Sequence, residues 1–238
     1  MTARPFIVAI DGPAGAGKST VSRRVASRLG FALVDTGAIY RAVALAAARQ
    51  DIAFDADPQL GALLPTLAIQ FEAPPPGGHA GQRVLLDGED VSALIRTPAM
   101  SLGASAVSAR PVVRAGLLEL QRRLALSPDH RGAVLEGRDI GTVVFPDADA
   151  KIFLTASPEI RARRRFAELQ ARGDPTPFEQ VLADQQRRDR DDSERAHAPL
   201  KPAQDAVLLD SSGLTLDQVV DRLAALVEGR LSGRVDAE

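Results

Sequence analysis

FIVAIDGPAGAGKST, residues 6–20, joins a short apolar run to a glycine-rich turn and then to a helical pattern. Phe6–Ile10 is short and rich in β-branched residues, so it reads as a buried strand. Gly12 to Ser19 fits G-x-x-x-x-G-K-[ST] in full, with a strand before it and a helix over about residues 18–29 after it. Gly12, Gly15 and Gly17, with Pro13, Ala14 and Ala16 between them, let the backbone curl so that successive N–H groups point inward at an anion. The helix N-terminus adds its partial positive charge. In this motif Lys18 reaches the β- and γ-phosphates, and the Ser19 hydroxyl, followed by Thr20, ligates Mg²⁺. Gly12 to Thr20 is therefore expected to bind a nucleoside triphosphate, with Ser19 at the metal.

Outward from this stretch the same rhythm continues. Ala32–Val34, Ala133–Leu135, Lys151–Leu154 and Ala206–Leu209 read as further short buried strands, and residues 38–49 as a helix. Over residues 215–230, Leu216, Val219, Val220, Leu223, Leu226 and Val227 share one helical face. Short apolar strands alternating with helices predict parallel βαβ units, hence an α/β fold with a five-stranded parallel core. Each strand runs into polar residues: Asp11, Asp35, Glu136 with Arg138 and Asp139, Thr155 with Ser157, and Asp210 with Ser211. In an open parallel sheet these ends share the edge where ligands bind. Residues 66–100 break the rhythm. Two strand-like runs flank PPPGGHAG, and Asp87-Gly88 suggests a hairpin turn, so a small antiparallel β insertion is expected there. The organisation that follows is a core over 1–65 and 101–230, an insertion over 66–100 and a frayed tail over 231–238.

Composition narrows the function. The 238 residues are 45% hydrophobic and 25% charged, the balance of a folded globular chain. No apolar run approaches the ~20 residues that cross a bilayer, and the N-terminus lacks a small-residue cleavage site. With no cysteine there is no disulfide framework, which fits a reducing cytoplasm. A formal net charge of −2 argues against a nucleic-acid coat. The chain contains no asparagine, so the N-K-x-D guanine motif of switch GTPases is absent. A motor or AAA-type ATPase is larger and shows an apolar strand ending in Asp-Glu; here the third strand ends LEGRD, residues 135–139. A kinase of a small molecule suits the size best.

A phosphate-bearing acceptor needs cations of its own. Lys18, Lys151 and Lys201 are the only lysines, so arginine supplies nearly all the positive charge. Its planar fork grips phosphate bidentately and keeps its charge. Arg41, Arg114, Arg138, Arg188 and Arg195 sit past strand ends or on flanking helices. Arg161, Arg163, Arg164 and Arg165 open a helix for which Ser157 is the N-cap and Pro158 the first residue. His79, His130 and His197 lie singly in loop-like stretches and are assigned no role.

At this point the chain resembles the bacterial cytidylate kinases, a family of nucleoside monophosphate kinases. IDGPAGAGKST at 10–20, VDTGAIYRA at 34–42, EGRDIGTVVFPDADAKIFL at 136–154 and RRDRDDSERAHAPL at 187–200 carry the resemblance in the family's order. LDGEDVSALIRTP at 86–98 resembles the end of its monophosphate-binding insertion. The resemblance implies a P-loop core with that insertion at 66–100 and a helical lid at 158–174. It also implies ATP with Mg²⁺ as donor, CMP or dCMP as acceptor, and a monomer. It places Thr36, Arg41, Ser105, Arg114, Arg138, Asp139, Arg188, Asp192 and Arg195 at the acceptor: Arg41, Arg138 and Arg195 on its phosphate, Arg188 and Asp192 on its sugar, Ser105, Arg114 and Asp139 on its base. Lys18, Arg161, Arg164 and Arg165 would act on the transferred phosphoryl group.

The base assignment agrees with elementary chemistry. Cytosine offers an N4 donor beside the N3 acceptor, so a carboxylate and an arginine complement it, whereas uracil reverses the pattern. Unpaired buried polar groups cost about 1–3 kcal/mol each, so rejection of UMP by about tenfold to a few hundredfold is expected. Two other readings stay open. One is a kinase of UMP, AMP or shikimate. The other is a nucleotide-dependent regulatory protein that binds RNA through its arginines, which the eight acids beside nine arginines in residues 161–195 oppose.

Overall fold

The central strand β1 (Phe6–Asp11) lies between two parallel neighbours, β6 (Gly132–Gly137) and β7 (Ala150–Thr155), with Val8 opposite both Val134 and Ala150. In this computed structural model, which describes residues 4–72 and 82–235, β7 pairs in parallel with β8 (Val207–Asp210), and β2 (Ala32–Asp35) flanks β6 on the other side. The strand order is β2-β6-β1-β7-β8. Phe6 to Ile10 are at most 2% exposed. A strand covered on both faces needs apolar residues at every position, which is why 6–10 shows no alternation. Phe6, Val8 and Ile10 share one core with Val21 and Val25 of α1 (Lys18–Leu29) and with Val219, Leu223 and Val227 of α8 (Leu216–Val235). Leu216, expected on that face, is 40% exposed in the first turn of α8. At the other end Leu231 packs against the core, so α8 continues past 230 as far as Val235.

The chain falls into two compact units, one of Met1–Val34 with Arg122–Glu238 and one of Asp35–Gln121. The first holds the parallel sheet together with α6 (Pro158–Gln170) and α7 (Phe178–Glu194). The second begins with α2 (Thr36–Arg49) and α3 (Asp57–Leu63) and ends with α4 (Pro98–Ser108) and most of α5 (Pro111–Ala125). The second unit also contains a separate antiparallel sheet, β3 (Ile69–Glu72), β4 (Arg83–Leu86) and β5 (Glu89–Asp90), which falls between α3 and α4 in the chain. As the sequence predicts, Asp87-Gly88 turns the β4–β5 hairpin; their φ angles of 51° and 84° are those of a type I′ turn. Arg83 bridges Glu72 and Asp90 across the three strands at 2.8 Å each. The PPPGGHAG loop, with His79, lies outside the described residues, as do residues 236–238.

Helices α3, α4 and α5 were not delimited from the sequence. Their starts are nevertheless coded: Pro98 and Pro111 open α4 and α5, and the Thr97 hydroxyl accepts from the Met100 N–H at the α4 N-cap. The alanine- and serine-rich run over α4 presents too weak an apolar stripe to be read from spacing alone.

Candidate active site

In the first unit the glycine-rich turn leaves β1 through Gly12, whose φ is +150°. A Cβ there would lie 2.0 Å from the Leu154 carbonyl oxygen of β7, so both conformation and space demand glycine. The carbonyls of the turn are taken by protein donors. Lys18 Nζ donates to Pro13 O at 2.8 Å. Arg161 Nη1 and Gln185 Nε2 donate to Ala14 O at 3.0 and 2.7 Å. Arg164 Nη1 donates to Ala16 O at 3.3 Å. Lys18 is buried. Burial, then the charge of Arg138, lowers its pKa well below the usual lysine value, against the opposing charge of Glu136. A weakly hydrated cation at this position is poised for an anionic ligand.

Two acids that the sequence marks only as strand ends organise the floor. Asp11 closes β1, and its carboxylate accepts from the N–H groups of Ile140 and Gly141, both at 2.8 Å. These donors open a single π-helical turn, Ile140–Val144, directly after Arg138 and Asp139. Asp11 therefore ties the segment after β6 to the root of the glycine-rich turn. Burial pushes its pKa up to about 6, outweighing the two N–H bonds that favour the carboxylate. Glu136, buried at the end of β6, accepts from Ser19 Oγ at 2.8 Å.

The arginines of α6 are anchored as well. Ser157 caps the helix, accepting from the Ile160 N–H, and Pro158 is its first residue, as predicted. Arg161, only 4% exposed, bonds Ala156 O through Nε at 2.9 Å and Asp189 of α7 through Nη2 at 2.7 Å. Arg164 bonds Ser211 at the end of β8 through both its Oγ and its carbonyl. Arg165 is more open and pairs with Glu168 at 3.0 Å.

Three of the predicted acceptor arginines come together around the carboxylate of a fourth predicted residue, Asp192. Arg138 Nε donates to Asp192 Oδ2 at 2.9 Å, and Arg195 Nη1 lies 3.9 Å from Asp192 Oδ1. Burial works to raise the Asp192 pKa, but the charges of Arg138, Arg195 and Arg188 overcome it and hold the carboxyl below its usual range. The Leu200 N–H returns to the Asp192 carbonyl at 2.8 Å, closing the chain after α7. Ala198, inside that closure, has φ +50°, an uncommon conformation for alanine. Asp139 is buried at the N-cap of the adjoining π-helical turn.

The second unit carries the remaining predicted residues. Asp35 caps α2, accepting from the Ala38 N–H at 2.9 Å, and its other oxygen takes Arg41 Nη2 at 3.1 Å. Thr36 is buried at the first position of α2. Arg114 of α5 stacks over the Tyr40 ring at 5.8 Å and donates to Ser108 O at 3.2 Å. Ser105 is half-buried on α4, its carbonyl accepting from Ser108 Oγ at 3.0 Å. Each unit thus presents its own organised set, Thr36, Arg41, Ser105 and Arg114 in one and the phosphate turn with Arg138, Asp139, Arg188, Asp192 and Arg195 in the other. The supporting residues Asp11, Asp35, Gln185 and Asp189 were not singled out as site residues. The two strand-end aspartates were visible in the sequence, whereas the partners of Gln185 and Asp189 are distant along the chain.

Known proteins resemble this chain over nearly its whole length. The profile of the family described as cytidylate kinase matches residues 8–229. A cytidylate kinase of Geobacter sulfurreducens is 52% identical over 227 residues, 95% of this chain and 94% of that protein. Those of Citrifermentans bemidjiense and Pseudomonas aeruginosa are 50% and 48% identical, over 95% and 91% of this chain and 94% and 93% of theirs.

Proposed function

The chain belongs to the cytidylate kinase family, and from that premise we infer that it moves the γ-phosphoryl group of ATP to CMP or dCMP, giving ADP and CDP or dCDP. The observation that carries the reading is the pairing, within one unit, of a complete phosphate turn at 12–20 with arginines Arg138 and Arg195 gathered on Asp192. One feature holds a polyphosphate and the other a second phosphate.

The acceptor is already a phosphate anion, so its oxygen attacks without a strong base, through a loose in-line transition state. What the protein must supply is position and positive charge. Lys18 serves the β- and γ-phosphates. Arg138, Arg195 and Arg41 take the acceptor phosphate, and Arg188 and Asp192 its sugar. Asp139 accepts from cytosine N4, with Arg114 and Ser105 completing the base contacts and Thr36 also on the acceptor side. Arg165, paired with Glu168 on its own helix, is the best placed of the predicted lid arginines to meet the transferred group, since Arg161 and Arg164 are engaged by the turn itself. Closure of the segment 158–174 would exclude water, whose attack wastes ATP.

The hard oxygens of Ser19 and Glu136, 2.8 Å apart, suit Mg²⁺. Mg²⁺ in such sites is held by one or two protein oxygens together with substrate phosphates. Bound there, it would neutralise the charge that builds between the β- and γ-phosphates. The reading extends to a cytoplasmic monomer that takes nucleotides rather than nucleic acid.

The deciding experiment offers CMP, dCMP, UMP, AMP and shikimate separately with ATP and Mg²⁺ and follows ADP release. CMP and dCMP are the preferred acceptors. Preference for AMP or shikimate would remove the base assignments of Ser105, Arg114 and Asp139, and release independent of acceptor would remove the kinase reading.

A further inference from the structure

We propose that Gln185, together with Arg161 and Asp189, aims the phosphate turn by clamping the Ala14 carbonyl, so that Gln185 is a positioning residue for the donor nucleotide. The proposal rests on the nucleotide-binding reading of residues 12–20. In a trans peptide the C=O of one residue and the N–H of the next point in opposite directions. Fixing Ala14 O against α6 and α7 therefore turns the Gly15 N–H the other way, toward the inside of the turn. A carbonyl has two lone pairs, and here both are filled, by Arg161 Nη1 at 3.0 Å and Gln185 Nε2 at 2.7 Å.

The clamp is itself held. Arg161 cannot swing away without leaving Ala156 O, at 2.9 Å, and Asp189, at 2.7 Å. Its three nitrogens are thus spent on the protein, which makes it a residue that acts through the turn. Gln185 is 7% exposed. The fit is tight from the other side too. A Cβ on Gly15 would lie 2.3 Å from Gln185 Nε2 and 3.0 Å from Arg161 Cβ, so the approach requires the glycine, whose φ is +74°. Gln185, Arg188, Asp189 and Asp192 recur at i, i+3, i+4 and i+7, so one face of α7 carries both the clamp and the acceptor-side residues.

Glutamine is suited to this place. It offers a neutral, directional donor on a side chain long enough to reach from a helix to a loop. Methionine has nearly the same shape and no donor; glutamate has the same shape and only acceptors; lysine keeps a donor. Equilibrium binding of ADP and of CMP, measured separately by titration calorimetry on the full chain, tests the clamp. Gln185→Met weakens ADP by about three- to tenfold, the worth of one buried hydrogen bond whose acceptor keeps a second donor. CMP affinity stays unchanged. Gln185→Glu shows at least the same loss, and Gln185→Lys restores ADP binding to within about twofold. Unchanged ADP affinity in both Gln185→Met and Gln185→Glu overturns the clamp. So does an equal loss for ADP and CMP, which would mean that α7 as a whole had moved. A wild-type chain that binds no ADP fails at the earlier step, the nucleotide-binding reading, and takes the clamp with it.

Discussion

Asp11→Asn should make the protein more stable at neutral and alkaline pH and a poorer enzyme. The buried carboxyl of Asp11 has a pKa raised from 3.8 to about 6, chiefly by loss of hydration. The sign follows from proton binding. Between pH 3.8 and 6 the folded chain holds a proton on Asp11 that the unfolded chain releases, so stability falls as pH rises through that window. Above it the charged form costs about 3 kcal/mol relative to the protonated one, at 1.36 kcal/mol per pKa unit. Asparagine resembles the protonated acid, with one acceptor oxygen and no charge, so it avoids that cost. For a chain of this length about 3 kcal/mol corresponds to a rise in Tm of roughly 6–12 °C. The gain should be full at pH 8 and vanish below pH 4. Asparagine, however, can accept only one of the two N–H groups of Ile140 and Gly141. The π-helical turn that follows Asp139 loosens, and kcat/KM for CMP falls. Urea unfolding of both proteins from pH 4 to pH 8, with acceptor kinetics at pH 8, tests the argument. A pH-independent difference in stability, or a variant less stable than wild type at pH 8, would refute it.

Other expectations follow from the same geometry. Asp192→Ala removes the carboxylate that gathers Arg138 and Arg195, so KM for CMP should rise at least tenfold and stability should drop by about 3 kcal/mol; a normal KM would mean the arginines hold their positions unaided. Lys18→Ala should abolish turnover while CMP still binds, and retained turnover would contradict the role given to the turn. Gly12→Ala forces a Cβ onto the Leu154 carbonyl and should cost more than about 3 kcal/mol, visible as loss of soluble protein or of the cooperative unfolding transition. Ala198→Gly relieves the φ of +50° and should raise stability by about 0.5–1 kcal/mol, measured by the same urea titration.

Much of the site was legible because its signals are local. The phosphate turn is contiguous, and the strand before it and the helix after it are fixed by residues 6–29. The N-cap at Ser157 and the turn at Asp87-Gly88 depend on a few neighbouring residues. The arginines were recognised as a class for the same reason, since charge and fork geometry belong to the residue type. Their division of labour was not legible. Arg161, Arg164 and Arg165 lie within five residues of one another, yet one is spent on Ala14 and Asp189, one on Ala16 and Ser211, and one pairs with Glu168.

The sequence by itself determined the class of fold and the chemistry of the ligand. The run apolar at every position over 6–10 dictates a strand buried on both faces, and a glycine-rich turn before a helix dictates an anion cradle. Only the tertiary structure decided which polar groups position others and which remain for substrate. Asp11 meets Ile140, Arg138 meets Asp192, and Gln185 meets Ala14 across separations of 129, 54 and 171 residues. The same burial that completes these bonds sets the charge state of Asp11 and Lys18, because desolvation depends on what the rest of the chain packs around them and not on their neighbours in sequence.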